Sequence, residues 1–349
     1  MTQATPGRLT QYHSLLSGML GRLPDDLIVE ARRWLAAGSD RDVARGLAFA
    51  AKASGTAVTD VEAALMELAG PVDGLARVHE LDLPPFSLSP TGPRTMAGNP
   101  DVEYNLDLTR PNPGQWRIDD MDRAIITAIS IADVQGRGLW RTWKFPAEDS
   151  LWPAPRRIYL FQVDRPAEPD RLPGVTVALM EALEAAGEVQ PLVEVFVEPG
   201  ALAPFPRTAL AFSALLWASE TGSEIRIAPL YDDYREGRGP GFDDGHPVLT
   251  DSGADSVLSY LESGELLLIS SELMPDVLDP NGPGAPIAYR TDGVWIWSAA
   301  TAYYLERHRL APHPDLLQHV RANGREVAPV SAVGLHRALN RLYSQDMYR

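Results

Sequence analysis

Asp292-Gly293-Val294-Trp295-Ile296-Trp297, followed by Ala302-Tyr303-Tyr304-Leu305-Glu306, is the densest signal in the chain. It reads as the return strand of a hairpin that runs straight into an amphipathic helix. Ile287 to Arg290 supplies the outgoing strand, and Gly293 in Thr291-Asp292-Gly293 supplies the positive φ that a tight turn needs. In a strand Trp295 and Trp297 share one face while Ile296 takes the other. Aromatic side chains bury much area and carry polar tips, so this cluster makes either a core or a partner surface. Core packing is the simpler reading, because contiguous apolar patches are uncommon on monomers.

Working outward, three helices close the chain at about 298–308, 314–323 and 330–344. Before the hairpin come a helix over Ser252 to Glu262, a strand over Glu265 to Ile269 and a turn over Asp279 to Gly284. Tyr231 to Gly245 reads as loop, rich in Gly and Asp. Upstream, Val102 to Leu108, Leu139 to Phe145, Ile158 to Val163, Leu192 to Val197 (Glu194 outward) and Ile225 to Leu230 read as strands. Asp120 to Val134, Gly174 to Ala186 and Arg207 to Ala218 read as helices. That order implies a mixed sheet with flanking helices.

Residues 8–80 read as all-helical, with Leu15, Leu16, Met19, Leu20 and Leu23 at helical spacing and a capping box at Thr59-Asp60-Val61-Glu62. Five prolines and two glycines between Leu83 and Pro100 cannot continue a helix or a central strand. The expected class is α+β: a small N-terminal helical bundle, a Pro-rich linker, then a mixed β-sheet with flanking helices and a helical C-terminus. The expected boundaries are 1–82 for the bundle, 83–101 for the linker and 102–220 for an α/β region. The remainder, 221–349, holds the acidic loop, hairpin and C-terminal helices, either separately or as one domain with 102–220.

The chain has 349 residues, 45% of them hydrophobic, and no cysteine. The last point excludes disulfides, thiol nucleophiles, iron–sulfur clusters and thiolate zinc sites. No apolar run reaches the roughly 20 residues that span a bilayer, and Met1 to Pro24 lacks the pattern of a signal peptide. A cytoplasmic protein without a membrane partner is the expectation. Net charge is −16, which opposes nucleic-acid binding, since phosphate neutralisation needs a basic face. From Glu220 to Asp279 fourteen acids face three arginines, whereas Arg290 to Arg349 is net positive by three. Such segregation reads as a solvated, solubilising face or as a directed acidic surface.

Candidate chemistry is sparse. His308, His313 and His319 are spaced by five and six residues, which does not stack them on one helical face for zinc; they read as surface histidines. Asp243, Asp244 and His246, with Asp232 and Asp233, offer ligands for a hard cation but not at EF-hand spacing, so a solvated acidic loop is the simpler reading. Glu194 and Glu198 lie about 13 Å apart along a strand, beyond the range of a glycosidase pair. Phosphate-loop, dinucleotide, nucleophile-elbow and kinase motifs are missing. No cofactor is expected.

Tyr289–Trp297, Ala302–Glu306 and Pro314–Val320 together resemble a C-terminal module of uncharacterised actinobacterial proteins grouped with immunity-type proteins of toxin systems. The likeness covers a tenth of the chain and lies in packing residues, so it transfers no site residue. It implies a protein that binds another protein. The expected function is therefore a non-enzymatic, immunity-like binding protein whose acidic 220–279 surface engages a basic partner, such as a toxin. Asp232, Asp233, Glu236, Asp243, Asp244, Trp295 and Trp297 are its candidate contact residues. The alternatives are a carboxylate-based hydrolase or transferase, with or without a metal, built on the Asp232–His246 loop, and a scaffold subunit that docks through the N-terminal bundle.

Overall fold

The computed structural model describes residues 7–80, 86–93, 106–111, 116–132, 134–146, 154–164, 169–235, 239–250 and 253–344. The chain is α+β and divides into two compact units, Met1–Glu220 and Thr221–Arg349. Among the described residues no helix is long and apolar enough to cross a membrane.

The first unit opens with α1 (Arg8–Met19), α2 (Asp25–Ala36), α3 (Asp40–Ser54) and α4 (Asp60–Glu67). The capping box at the start of α4 forms as its sequence requires: the Glu62 amide donates to Thr59 Oγ1 at 3.3 Å, and the Thr59 amide donates to Glu62 Oε2 at 2.8 Å. The apolar stripes of these helices do not close a core of their own. Leu16, Met19, Leu35 and Leu47 belong to one continuous cluster with Phe161, Leu179 and Val195 of the α/β part. An amphipathic stripe looks the same in sequence whether it meets another helix or a sheet. Most of 83–101 lies outside the described residues; within it β1 (Ser87–Ser89) pairs with β3 (Gly136–Phe145).

The remaining strands are β2 (Leu106–Asp107), β4 (Arg156–Val163), β5 (Leu192–Phe196) and β6 (Ala214–Ala218), in the order β2-β6-β3-β4-β5. The β3–β4 pair is antiparallel, whereas β4 and β5 are parallel and joined through α6 (Leu172–Ala185). The helix expected over Arg207 to Ala218 is instead α7 (Pro204–Ala211) followed by β6. Ala214-Leu215-Leu216 is wholly buried, and a short apolar run of this kind reads equally as helix or as a strand covered on both faces. Glu194, expected to point outward, is 1% exposed and ion-paired with Arg32 of α2, because helices cover the face of β5 that alternation alone assigned to solvent.

A buried polar network holds α5 (Asp120–Ile131) to the sheet. Asp122, fully buried, pairs with Arg141 and accepts from Tyr159 Oη at 2.8 Å. Arg157 grips Asp119 through two bonds of 3.0 and 2.8 Å. Burial pushes the Asp122 carboxyl up despite the Arg141 charge beside it.

The second unit carries a sheet in the order β10-β11-β12-β7, from β7 (Arg226–Ile227), β10 (Glu265–Met274), β11 (Ala285–Thr291) and β12 (Trp295–Ser298). A small hairpin, β8 (Asp233–Arg235) with β9 (Gly239–Gly241), lies in the segment read as loop. Its helices are α8 (Ala254–Ser263), α9 (Ala300–His308), α10 (Pro314–Asn323) and α11 (Ala332–Tyr343). The alternation in β12 holds. Trp295 and Trp297 pack with Tyr260, Leu261, Leu305 and Leu316, while Ile296 packs with Ala338 and Leu342.

Candidate functional site

The tryptophans that open the sequence argument are core. Trp295 is 3% exposed and Trp297 fully buried. The Trp297 indole donates to the Leu261 carbonyl at 3.1 Å, and the Arg226 guanidinium covers Trp295 at 4.5 Å. Neither presents a face to a partner, which corrects their place among the contact residues. Asp232, Asp233, Asp243 and Asp244 are exposed. Glu236 lies outside the described residues.

The histidines of this unit are not free surface groups. His246 Nδ1 lies 2.8 Å from Asp232 Oδ2 and Nε2 lies 2.9 Å from the Ala311 carbonyl. His308 Nε2 sits 2.6 Å from Asp276 Oδ2, which also accepts from Tyr303 Oη at 3.0 Å. His319 Nε2 sits 2.6 Å from Asp292 Oδ2, which accepts from Tyr260 Oη at 2.8 Å. In each case the same carboxylate also receives backbone amides. Asp292 Oδ1 takes those of Val294 (2.9 Å) and Trp295 (2.7 Å), fixing the β11–β12 turn, where Gly293 has φ 86°. Asp276 takes that of Leu278 and Asp232 that of Asp243.

These bonds also set the electrostatics. Burial alone would raise the Asp276 carboxyl; the bonds from His308, the Leu278 amide and Tyr303 outweigh it and hold it below the usual carboxylate range. The Asp232 carboxyl is likewise held low, the Asp243 amide and His246 overcoming burial. Burial and the neighbouring Asp292 push the Tyr260 phenol up.

Among the described residues no serine or threonine hydroxyl is hydrogen-bonded to the imidazoles of these Asp–His pairs. They act as clamps that tie loops and helix ends together. Among the described residues no group of three His, Asp or Glu side chains could hold a metal ion, Asp243, Asp244 and His246 included. His313 stands at the N-terminal cap of α10. Of the carboxylates Glu194 and Glu198, the first is ion-paired with Arg32.

What the second unit does present is an edge. Among the described residues β10 pairs on one side only, with β11, and it runs to Met274, five residues beyond the expected end at Ile269. Leu266, Leu268, Ile269 and Leu273 are exposed along it, Ile269 at 69% and Leu273 at 58%. Glu262, Glu265 and Glu272 are exposed on and beside the same strand. Its far end meets the acidic hairpin: Tyr231 and Phe242, which flank β8 and β9, pack in one cluster with Met274. The sequence signal was present in Glu272-Leu273-Met274, which resumes a strand pattern after Ser270-Ser271. No family model, curated protein or solved structure matches the chain.

Proposed function

We propose that this is a cytoplasmic, non-enzymatic, immunity-like binding protein, and that β10 with the adjoining acidic hairpin is the surface that takes a basic protein partner. The observation that carries this reading is the ten-residue strand β10, unpaired on its outer side among the described residues, with exposed Leu266, Leu268, Ile269 and Leu273. An unpaired edge offers backbone donors and acceptors to an incoming strand, and natural proteins ordinarily blunt long apolar edges. Register shifts between Leu266 and Leu268 and between Ile269 and Leu273 narrow the regular stretch without covering its side chains. Charge selects the occupant. A second copy paired antiparallel about Leu268 and Ile269 would set Glu265 against Glu272 at both ends, which is unfavourable. A strand bearing Lys or Arg meets Glu262, Glu265 and Glu272 and, beyond them, Asp233, Asp243 and Asp244, and such complementarity speeds encounter.

The test is co-purification with the products of neighbouring genes, followed by Kd measurements across ionic strength on wild type, on Ile269→Ser/Leu273→Ser and on Asp233→Asn/Asp243→Asn/Asp244→Asn. The apolar pair is expected to weaken binding at every salt concentration. The acid variant is expected to flatten the salt dependence. A complex indifferent to both variants and to salt refutes the proposal.

A further inference from the structure

The first unit contains a cavity that the edge of the second unit does not explain. Thr10, His13, Ser14 and Ser17 recur on α1 at i, i+3, i+4 and i+7, which places them on one helical stripe. A polar stripe of this kind ordinarily faces water. Here it lines a cavity of about 420 Å³. The opposite wall is Leu172, the end of β5 from Glu194 to Phe196, the two residues after it, and Leu202. Ser14 is exposed and forms the mouth, whereas His13 and Ser17 are 5% and 6% exposed and form the depth.

Among the described residues two buried polar atoms in that depth have no hydrogen-bond partner: His13 Nδ1 and Ser17 Oγ. The imidazole tautomer follows from its other nitrogen. His13 Nε2 lies 2.7 Å from the Val195 carbonyl oxygen, which can only accept, so Nε2 carries the hydrogen. Burial depresses the ring's proton affinity and keeps it neutral. Nδ1 is then a bare lone pair, an acceptor awaiting a donor. The Glu194 carboxylate, whose Oε1 lies 4.0 Å from Nε2, is balanced by Arg32, and among the described residues no cationic side chain lines the cavity. Acceptors therefore predominate in the depth, Glu198 adds an acidic side chain to the wall, and Leu172, Phe196, Val197 and Leu202 form apolar sides.

We infer that this cavity binds a small molecule with an apolar body and a hydrogen-bond-donating head, a hydroxyl or an ammonium group, seated on His13 Nδ1 and Ser17 Oγ. A carboxylate is the poorer fit, because it would meet the Nδ1 lone pair and lie beside the Glu194 and Glu198 side chains. The size suits a ligand of ordinary cofactor or metabolite dimensions.

The experiment titrates the full chain with three matched probes, 2-phenylethanol, 2-phenylethylamine and 3-phenylpropionate. It reads affinity by calorimetry and the His13 ring nitrogens by long-range ¹⁵N–¹H spectra. The alcohol or the amine, or both, should bind saturably and shift Nδ1 toward its hydrogen-bonded position. The carboxylate should bind at least tenfold more weakly. Ser17→Ala should weaken the bound probe about threefold to tenfold, the value of one hydrogen bond. The same change should leave the melting temperature unchanged or raised, because it removes a buried hydroxyl that satisfies nothing. Ser14→Trp, at the exposed mouth, should block entry in a folded protein. The inference is overturned if neither donor probe moves Nδ1 up to its solubility limit, if the carboxylate binds as tightly, or if Ser17→Ala and Ser14→Trp bind like wild type.

Discussion

Gly264, between α8 and β10, is held glycine by Trp297. Its backbone, φ −57° and ψ 143°, suits any residue, so a substitution there tests packing alone. A Cβ at this position would overlap Trp297 Cζ2 deeply and come within 3.0 Å of Cη2 and 3.2 Å of Arg290 Cβ. The indole has no room to withdraw, being fully buried and bonded through Nε1 to the Leu261 carbonyl. Overpacking a filled core costs about 1–3 kcal/mol, and stretching the indole bond adds about 1 kcal/mol. Gly264→Ala should therefore destabilise the second unit by about 2–4 kcal/mol. For a unit of this length that is a fall of about 7–15 °C in its melting transition. Calorimetry on the full chain reads it as displacement of one transition. Trp297→Phe costs stability on its own account, about 1.5–3 kcal/mol, but it removes the atoms that clash. The double variant should then be more stable than the two single losses predict, by about 1 kcal/mol or more. Strict additivity, or a Gly264→Ala protein that melts with wild type, would refute the argument that Trp297 dictates glycine at 264.

Asp292→Ala strips two amides, a phenol and an imidazole of their shared acceptor and should lower the urea midpoint of the second unit by the equivalent of about 3–5 kcal/mol; Asp292→Asn should recover part of it. Glu194→Gln leaves the buried Arg32 uncompensated and should cost about 3–5 kcal/mol, whereas Arg32→Leu/Glu194→Leu should cost much less, as thermal melts of the first unit will show. His13, whose folded-state pKa is depressed below 6.5, contributes stability that is fully present above about pH 6.5 and eroded as pH falls below it. The slope cannot exceed about 1.4 kcal/mol per pH unit, and His13→Gln should flatten it in denaturation curves. Asp276 has the same sign in a lower window: its contribution persists above the ordinary carboxylate range and is lost on strong acidification, a loss that Asp276→Asn should abolish.

Local pattern was legible wherever one residue's neighbours decide its state. The alternation at Trp295-Ile296-Trp297 assigned two faces that the core then filled, and Thr59 with Glu62 announced a helix start that formed. Pattern failed where the deciding partner is distant. Alternation put Glu194 on a second face but could not say that α2 would bring Arg32 over it. Leu215 and Leu216 are apolar whether in helix or strand, and only flanking strands β2 and β3 choose. The Asp–His pairs join residues 14, 32 and 27 apart, spacings that follow loop paths rather than any period. The polar stripe on α1 was readable as a stripe, but its turning inward became visible only with β5 in place.

That same contact sets a timetable for synthesis. His13 meets the carbonyl of Val195, 182 residues further along. At ribosomal rates of about 5–20 residues per second, the first helix emerges on the order of ten to forty seconds before the strand that shelters its flank exists. Through that interval the nascent chain carries an uncovered face with its apolar neighbours, Leu15 and Leu16. Yield in a cell should accordingly respond to chaperones acting at the tunnel exit more than to those that rescue finished chains.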